Sequence, residues 1–204
     1  DFIQIKLEKK YKNISYSVGS TALISIFYEI DNVIKYYIAN CGDCRGVLCD
    51  RKDNAIQLTI DHKPNMPNEK IRIEKIGGKI YFDGDDWRVG NLSVSRSFGD
   101  MDSIPYLTHK PEIFKNTLKK TDKFLILACD GLWDILSNQD AINFVLKELK
   151  IIKKLNSMYG YSKQNIAYNL AEYAIKKGST DNVSIIINFF YILFYIYIYI
   201  YIYI

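Results

Sequence analysis

The chain has 204 residues, 49% hydrophobic and 25% charged, with a net charge of +4. This ordinary globular balance suits one domain with a sizeable core. The lysines are scattered, with only a mild cluster at Lys147–Lys154, which argues against a nucleic-acid partner and for solvated helix faces.

From the N-terminus, Thr21–Tyr28 (TALISIFY) and Ile34–Asn40 (IKYYIAN) are rich in β-branched and aromatic residues and predict two strands. Asp31-Asn32 between them predicts a hairpin turn. Cys41-Gly-Asp turns the chain into a third strand, Arg45–Cys49. Cys41 and Cys44 have zinc-knuckle spacing, but no second pair completes a site, and the only histidines are His62 and His109. With Cys49 and Cys129 they read as reduced thiols of an intracellular protein, cytoplasmic or nuclear. No secretory signal opens the chain, and its first residue is Asp1, which suggests a processed product or a fragment.

The segment 50–123 reads as loop-rich, with two short helix candidates, one near Asn68–Ile76 that stops at Gly77-Gly78. Phe124–Cys129 is a continuous apolar run and predicts a strand buried on both faces. In the next helix Ala141, Ile142, Val145, Leu146, Leu149 and Ile152 form one stripe, with Ser137 or Asn138 as its cap. In the following helix Ile166, Ala167, Leu170, Ala171, Ala174 and Ile175 do the same, and Lys176-Lys177-Gly178 suits its C-terminus. Ser179–Asn182 is a turn, and Val183–Phe190 is a last strand.

Tyr195–Ile204 is five Tyr-Ile repeats, a strict alternation that predicts a strand. The uncharged run Val183–Ile204 is 22 residues, long enough to span a bilayer. Its first third completes a strand, its tyrosines are many and no basic flank follows, so we do not expect a membrane anchor. Since TAT and ATA encode Tyr and Ile, a translated TA repeat accounts for the tail.

Three acids sit at strand ends. Asp130 follows FLILAC, Asp43 follows IKYYIANCG, and Asp181 precedes VSIIINFF. If Gly131–Asp134 starts a helical turn, Asp130 and Asp134 stand four residues apart on one face. Neighbouring carboxylates repel unless a cation neutralises them, and oxygen donors favour Mg2+ or Mn2+. For a single Asp-Gly the plain reading is a turn; three such acids are harder to explain that way.

The chain resembles the metal-dependent type 2C Ser/Thr protein phosphatases. The resemblance is carried, in order, by GSTA (Gly19–Ala22), ANCGDCRGVL (Ala39–Leu48), LTIDHKP (Leu58–Pro64), EKIRIEKIGGKI (Glu69–Ile80), RVGNLSVSRSFGD (Arg88–Asp100), KPEI (Lys110–Ile113), FLILACDGLWD (Phe124–Asp134) and KGSTDNVSIII (Lys177–Ile187). It implies an α+β fold, a four-layer α-β-β-α sandwich of two packed, mainly antiparallel sheets. It divides the chain into an N-terminal remnant (1–18), a partial phosphatase domain (19–190, with a flap-like segment at 65–105) and the tail (191–204). It implies that Asp130 and Asp181 bind one catalytic metal and that Asp134 and Asp43 serve a further one, with two or more Mg2+ or Mn2+ ions in the complete site. His62 falls in the family's DHKP motif, where a structural role is expected. The implied reaction is hydrolysis of phosphoserine or phosphothreonine in proteins by a metal-activated water, without a covalent intermediate.

The chain departs from the family in its first 18 residues (DFIQIKLEKKYKNISYSV), which hold no Asp-Gly, no Arg and no His. The family's phosphate-binding Arg and its DGHGG motif, which carries the bridging Asp and the general acid, have no counterpart here. A truncated phosphatase, inactive alone, is the favoured reading, because a dead site gives little reason for the remaining acids to persist. A pseudophosphatase that only binds partners is the alternative. The expected partners are phosphoproteins, and the expected state is a monomer.

Overall fold

The computed structural model describes residues 18–156, 166–191 and 195–203. The expectation for the N-terminal remnant thus falls almost wholly outside the described residues. The chain forms two compact units: one from the described part of Asp1–Ser25 with Ile38–Cys44 and Ile60–Phe114, the other from Ile26–Tyr37, Arg45–Thr59 and the described part of Lys115–Ile204.

The chain begins with β1 (Gly19–Ser20), β2 (Ala22–Ile30), β3 (Val33–Cys41), β4 (Arg45–Cys49) and β5 (Ala55–Gln57). Asp31 and Asn32 carry φ of 52° and 60° between β2 and β3. Both residue types tolerate the left-handed region, and two such residues in sequence match the twist of a tight hairpin. After α1 (Pro67–Lys75) come β6 (Ile80–Phe82), β7 (Trp87–Val89), β8 (Phe98–Gly99), a 3-10 turn (Met101–Ser103), β9 (Glu112–Thr117), β10 (Phe124–Ala128), α2 (Asp130–Trp133), α3 (Asn138–Asn156), α4 (Ile166–Lys176), β11 (Val183–Tyr191) and β12 (Tyr195–Tyr203). The fold is thus mixed, with several antiparallel sheets and helices, as the sequence implied.

The second unit is built on a five-stranded sheet in the order β12-β11-β10-β4-β5, antiparallel throughout. β10 lies at its centre, and all five of its side chains are buried. Its neighbours are register-matched: Phe124 faces Cys49 on one side and Phe189 on the other, and Ala128 faces Arg45 and Ile185. In β11, Val183, Ile185, Ile187 and Phe189 are all fully buried, the alternation of a strand with one face in a core. That face packs with the helical stripes: Ala141, Ile142, Val145 and Ile152 from α3, and Ile166, Ala167, Leu170, Ala171 and Ala174 from α4. Leu146, Leu149 and Ile175, also placed on those stripes by spacing, are partly buried against the same core.

The helix ends follow local chemistry. The Ser137 hydroxyl accepts the Asp140 N–H (3.1 Å) and donates to the Asp140 carboxylate (2.6 Å), closing an N-terminal cap on α3. Gly178 (φ +109°) ends α4, with its N–H on Ile175 O and the Ser179 N–H on Ala174 O. The tail strand β12 pairs with β11 from Val183↔Tyr203 to Tyr191↔Tyr195. No helix among the described residues is long and apolar enough to cross a membrane.

The first unit is tied together by buried polar groups. Glu69, on α1, is 3% exposed. It accepts from Arg96 Nη2 (2.5 Å) and Nε (3.1 Å) and from Arg72 Nη2 (2.9 Å), while Arg72 also donates to Tyr106 O and Ser95 O. His62 is equally buried. Its Nδ1 accepts the Gly42 N–H (3.1 Å) and its Nε2 meets Glu112 Oε2 at 3.2 Å, so the neutral ring carries its proton on Nε2. The structural role expected of His62 is visible in these contacts.

Glu69 yields a pH prediction. Burial pushes its carboxyl up, but hydrogen bonds from Arg96, Arg72 and Ser95 outweigh burial and hold it at about 2, against an ordinary 4.5. A depressed carboxyl adds stability above its ordinary value and loses it as pH falls through the folded value. We expect the stability gap between the native chain and Glu69→Gln to be about 3 kcal/mol near pH 6 and to narrow as pH drops from about 5 toward 2. Urea titrations at several pH values measure it; a gap independent of pH would contradict the ion-pair account.

Candidate metal centre

β10 ends at Ala128, one residue before Cys129. Asp130 then opens α2, a single helical turn, and the Asp134 N–H closes it on Asp130 O at 2.8 Å. The turn anticipated from Asp130-Gly131 is therefore formed, with Asp130 and Asp134 one turn apart. Trp133 pins it: its Nε1–H donates to Ala128 O (2.9 Å) and Arg45 O (3.2 Å), and the Arg45 guanidinium lies 5.4 Å from the ring centre.

The loop 179–182 leads into β11. Because β10 and β11 pair antiparallel, the exit of β10 and the entry of β11 fall at the same edge of the sheet. Beyond Ala128↔Ile185 the pairing continues with the Cys129 N–H on Ser184 O (3.2 Å). The Cys129 thiol then donates to Asn182 O (3.2 Å) and accepts the Ser184 N–H (3.1 Å). The Ser179 hydroxyl donates to Gly131 O at 2.7 Å. A Cβ on Gly131 would sit 2.3 Å from Asn182 O, so only glycine admits so close an approach.

These contacts bring Asp130 and Asp181, 51 residues apart in sequence, to one end of the sheet. Each orients its carboxylate on its own turn: Asp130 Oδ1 accepts the Gly131 N–H (2.9 Å) and Asp181 Oδ1 accepts the Asn182 N–H (2.6 Å). Burial pushes the Cys129 thiol up, and the nearby charges of Asp130 and Asp181 act in the same direction. The thiol therefore keeps its proton and remains a donor. Asp130 is half-buried, while Asp134 and Asp181 are exposed. Asp43 is buried, 3% exposed, and lies in the first unit, in the turn that His62 holds through Gly42.

Among the described residues, no three His, Cys, Asp or Glu side chains stand close enough together to hold a metal ion. The acids of the second unit offer oxygen donors alone, which suits a hard divalent cation that takes one or two carboxylates from the protein and keeps several waters. The residues present fit such an ion. All four cysteines are free thiols, and Cys41 and Cys49 are buried, which pushes them up to about 11 and about 12. Cys129, Ser179 and Asn182 were not singled out from sequence as site residues. The one signal was position, since Cys129 is the last residue of the apolar run and the other two flank Asp181.

The protein phosphatase 2C family matches residues 2–183. The match starts within the stretch that the sequence reading left without a motif. A PP2C-like domain-containing protein of Acanthamoeba polyphaga mimivirus is 48% identical over 167 residues, covering 75% of this chain and 93% of that protein. The probable protein phosphatase 2C 27 of Arabidopsis thaliana is 38% identical over 181 residues, covering 86% of this chain but 43% of its own length. Among solved structures, that of a C. elegans sex determining protein superposes with a TM-score of 0.77 at 26% identity, over 92% of this chain and 44% of that one. The serine-threonine phosphatase 2C from Toxoplasma gondii shares the fold, with a TM-score of 0.74 at 24% identity, over 92% of this chain and 63% of its own. With the acids at one sheet edge and matches along most of its length, the chain belongs to the protein phosphatase 2C family.

Proposed function

We propose that the chain is the C-terminal part of a metal-dependent phosphatase domain that hydrolyses phosphoserine and phosphothreonine in proteins. The observation that carries this is the placement of Asp130 and Asp181 on turns stitched to one another. In this reading Asp130 and Asp181 hold one Mg2+ or Mn2+ ion, and Asp134, one helical turn from Asp130, serves a further one. Such ions, when bound, lower the pKa of a bound water and neutralise the phosphoryl oxygens. This reading also needs a bridging Asp and a general acid, which residues 1–18 do not offer, since they hold no Asp-Gly and no His; the 204-residue chain alone is therefore expected to be inactive. Four free thiols suit a reducing, intracellular setting.

A second reading, a pseudophosphatase that binds partners without turnover, draws on the missing three-carboxylate cluster among the described residues. One experiment separates the two. The gene product is expressed with its natural upstream sequence and assayed on a phosphothreonine peptide with Mn2+. We expect turnover that EDTA abolishes and that the 204-residue chain lacks. No turnover by the extended product supports the binding module; activity that survives EDTA ends the metal reading.

A further inference from the structure

Backbone pairing of β10 with β11 ends near Cys129 and Ser184, just before the chain reaches Asp130 on one side and Asp181 on the other. Antiparallel strands diverge once their ladder stops, so the ladder itself does not set the separation of the two acids. Three side-chain features continue the attachment past that point. The Cys129 thiol bridges Asn182 O and the Ser184 N–H. The Ser179 hydroxyl holds Gly131 O. Gly131, lacking a Cβ, lets Asn182 O come into contact. The contacts with Ser179 and Asn182 join residues adjacent to Asp130 with the loop that carries Asp181, and the Ser184 bond ties Cys129 to the start of β11.

We infer that Cys129 and Ser179 are positioning residues that clasp the Asp130 turn to the Asp181 loop and set the distance at which the two carboxylates share a cation. The inference rests on the metal reading above. Neither residue touches the ion or substrate; both act through the backbone of the ligand-bearing turns. Outer-shell partners of this kind commonly carry 10–100-fold in metal affinity.

The test is Mn2+ titration of the 204-residue chain, with free Mn2+ followed by its electron paramagnetic resonance signal. Circular dichroism confirms that each variant is folded at the working temperature. We expect Cys129→Ala and Ser179→Ala each to weaken Mn2+ binding by on the order of tenfold. Cys129→Ser, which keeps one donor and one acceptor, should recover most of that loss. Asp130→Asn should abolish the binding. If Asp130→Asn loses Mn2+ while Cys129→Ala and Ser179→Ala bind like the native chain, the clasp is refuted and the metal reading stands. A drop in melting temperature with no change in affinity also refutes it, since that marks a packing role alone. The titration is repeated on the gene product with its natural upstream sequence, where the same ranking is expected. If neither protein binds Mn2+ at millimolar concentration, or Asp130→Asn binds as the native protein does in both, the metal reading fails and takes the clasp with it.

Discussion

Asp130→Asn or Asp181→Asn is expected to lower the Mn2+-dependent turnover of the extended gene product by on the order of 10²-fold or more. The substitutions isolate charge. In the folded chain Asp130 Oδ1 and Asp181 Oδ1 each accept a backbone N–H from the next residue. Asparagine retains that carbonyl oxygen, so both turns keep their internal bond while the site loses a negative charge. If the two carboxylates hold one cation, as proposed, loss of either charge would weaken its binding and with it the charge stabilisation that a bound cation would supply. Asp134→Asn and Asp43→Asn should each cost less, because neither belongs to the pair proposed to hold the core ion. Steady-state kinetics on a phosphothreonine peptide gives the ranking. A larger loss from Asp43→Asn than from Asp181→Asn would reverse the assignment of the core ligands. Four silent substitutions in an active protein would reduce the Asp-Gly turn to a turn only.

Phe124→Ala is expected to destabilise the chain by about 3–5 kcal/mol. Phe124 is fully buried in the central strand. It stands opposite Phe189 in register, with ring centres 5.7 Å apart and planes tilted by 55°. On its other side it faces Cys49. Truncation removes a large apolar side chain and its aromatic contact from a place where the sheet backbone prevents collapse, so a cavity remains. A domain of this kind is held by only about 5–15 kcal/mol, so the urea midpoint should fall steeply with an unchanged slope. A loss under about 1 kcal/mol would mean that the strand is not the centre of the core.

Much of the second unit was legible in sequence because its signals are local or periodic. The apolar run Phe124–Cys129, the helical stripes after Ser137 and after Ile166, and the Gly178 stop each follow from spacing and residue type. Each appears within a residue or two of its expected place. The Tyr-Ile alternation predicted a strand, and β12 is one. The segment 50–123 was less readable. β9 was missed because its first pair breaks the pattern: Ile113 is 58% exposed, while the half-buried Glu112 reaches His62. A polar residue drawn in by a partner 50 positions away leaves no trace in a hydrophobic pattern. The β6–β7 hairpin was missed for a related reason, since Tyr81, Phe82 and Trp87 are apolar yet exposed.

The sequence by itself determined that acids stand at strand ends, that Asp130 and Asp134 are spaced to share a helical turn if one forms, and which family the ordered motifs resemble. Those facts are properties of neighbouring residues, so short stretches suffice. Only the tertiary structure decided that Asp130 and Asp181 come to one sheet edge, and which atoms hold them there. That outcome depends on β10 and β11 pairing antiparallel across more than 50 intervening residues, from Ala128 to Val183. It depends equally on a thiol, a hydroxyl and a missing Cβ meeting at that edge. The energy that selects it comes from the apolar core around Phe124, Ile126, Ile185, Ile187 and Phe189, which places the carboxylates without including them.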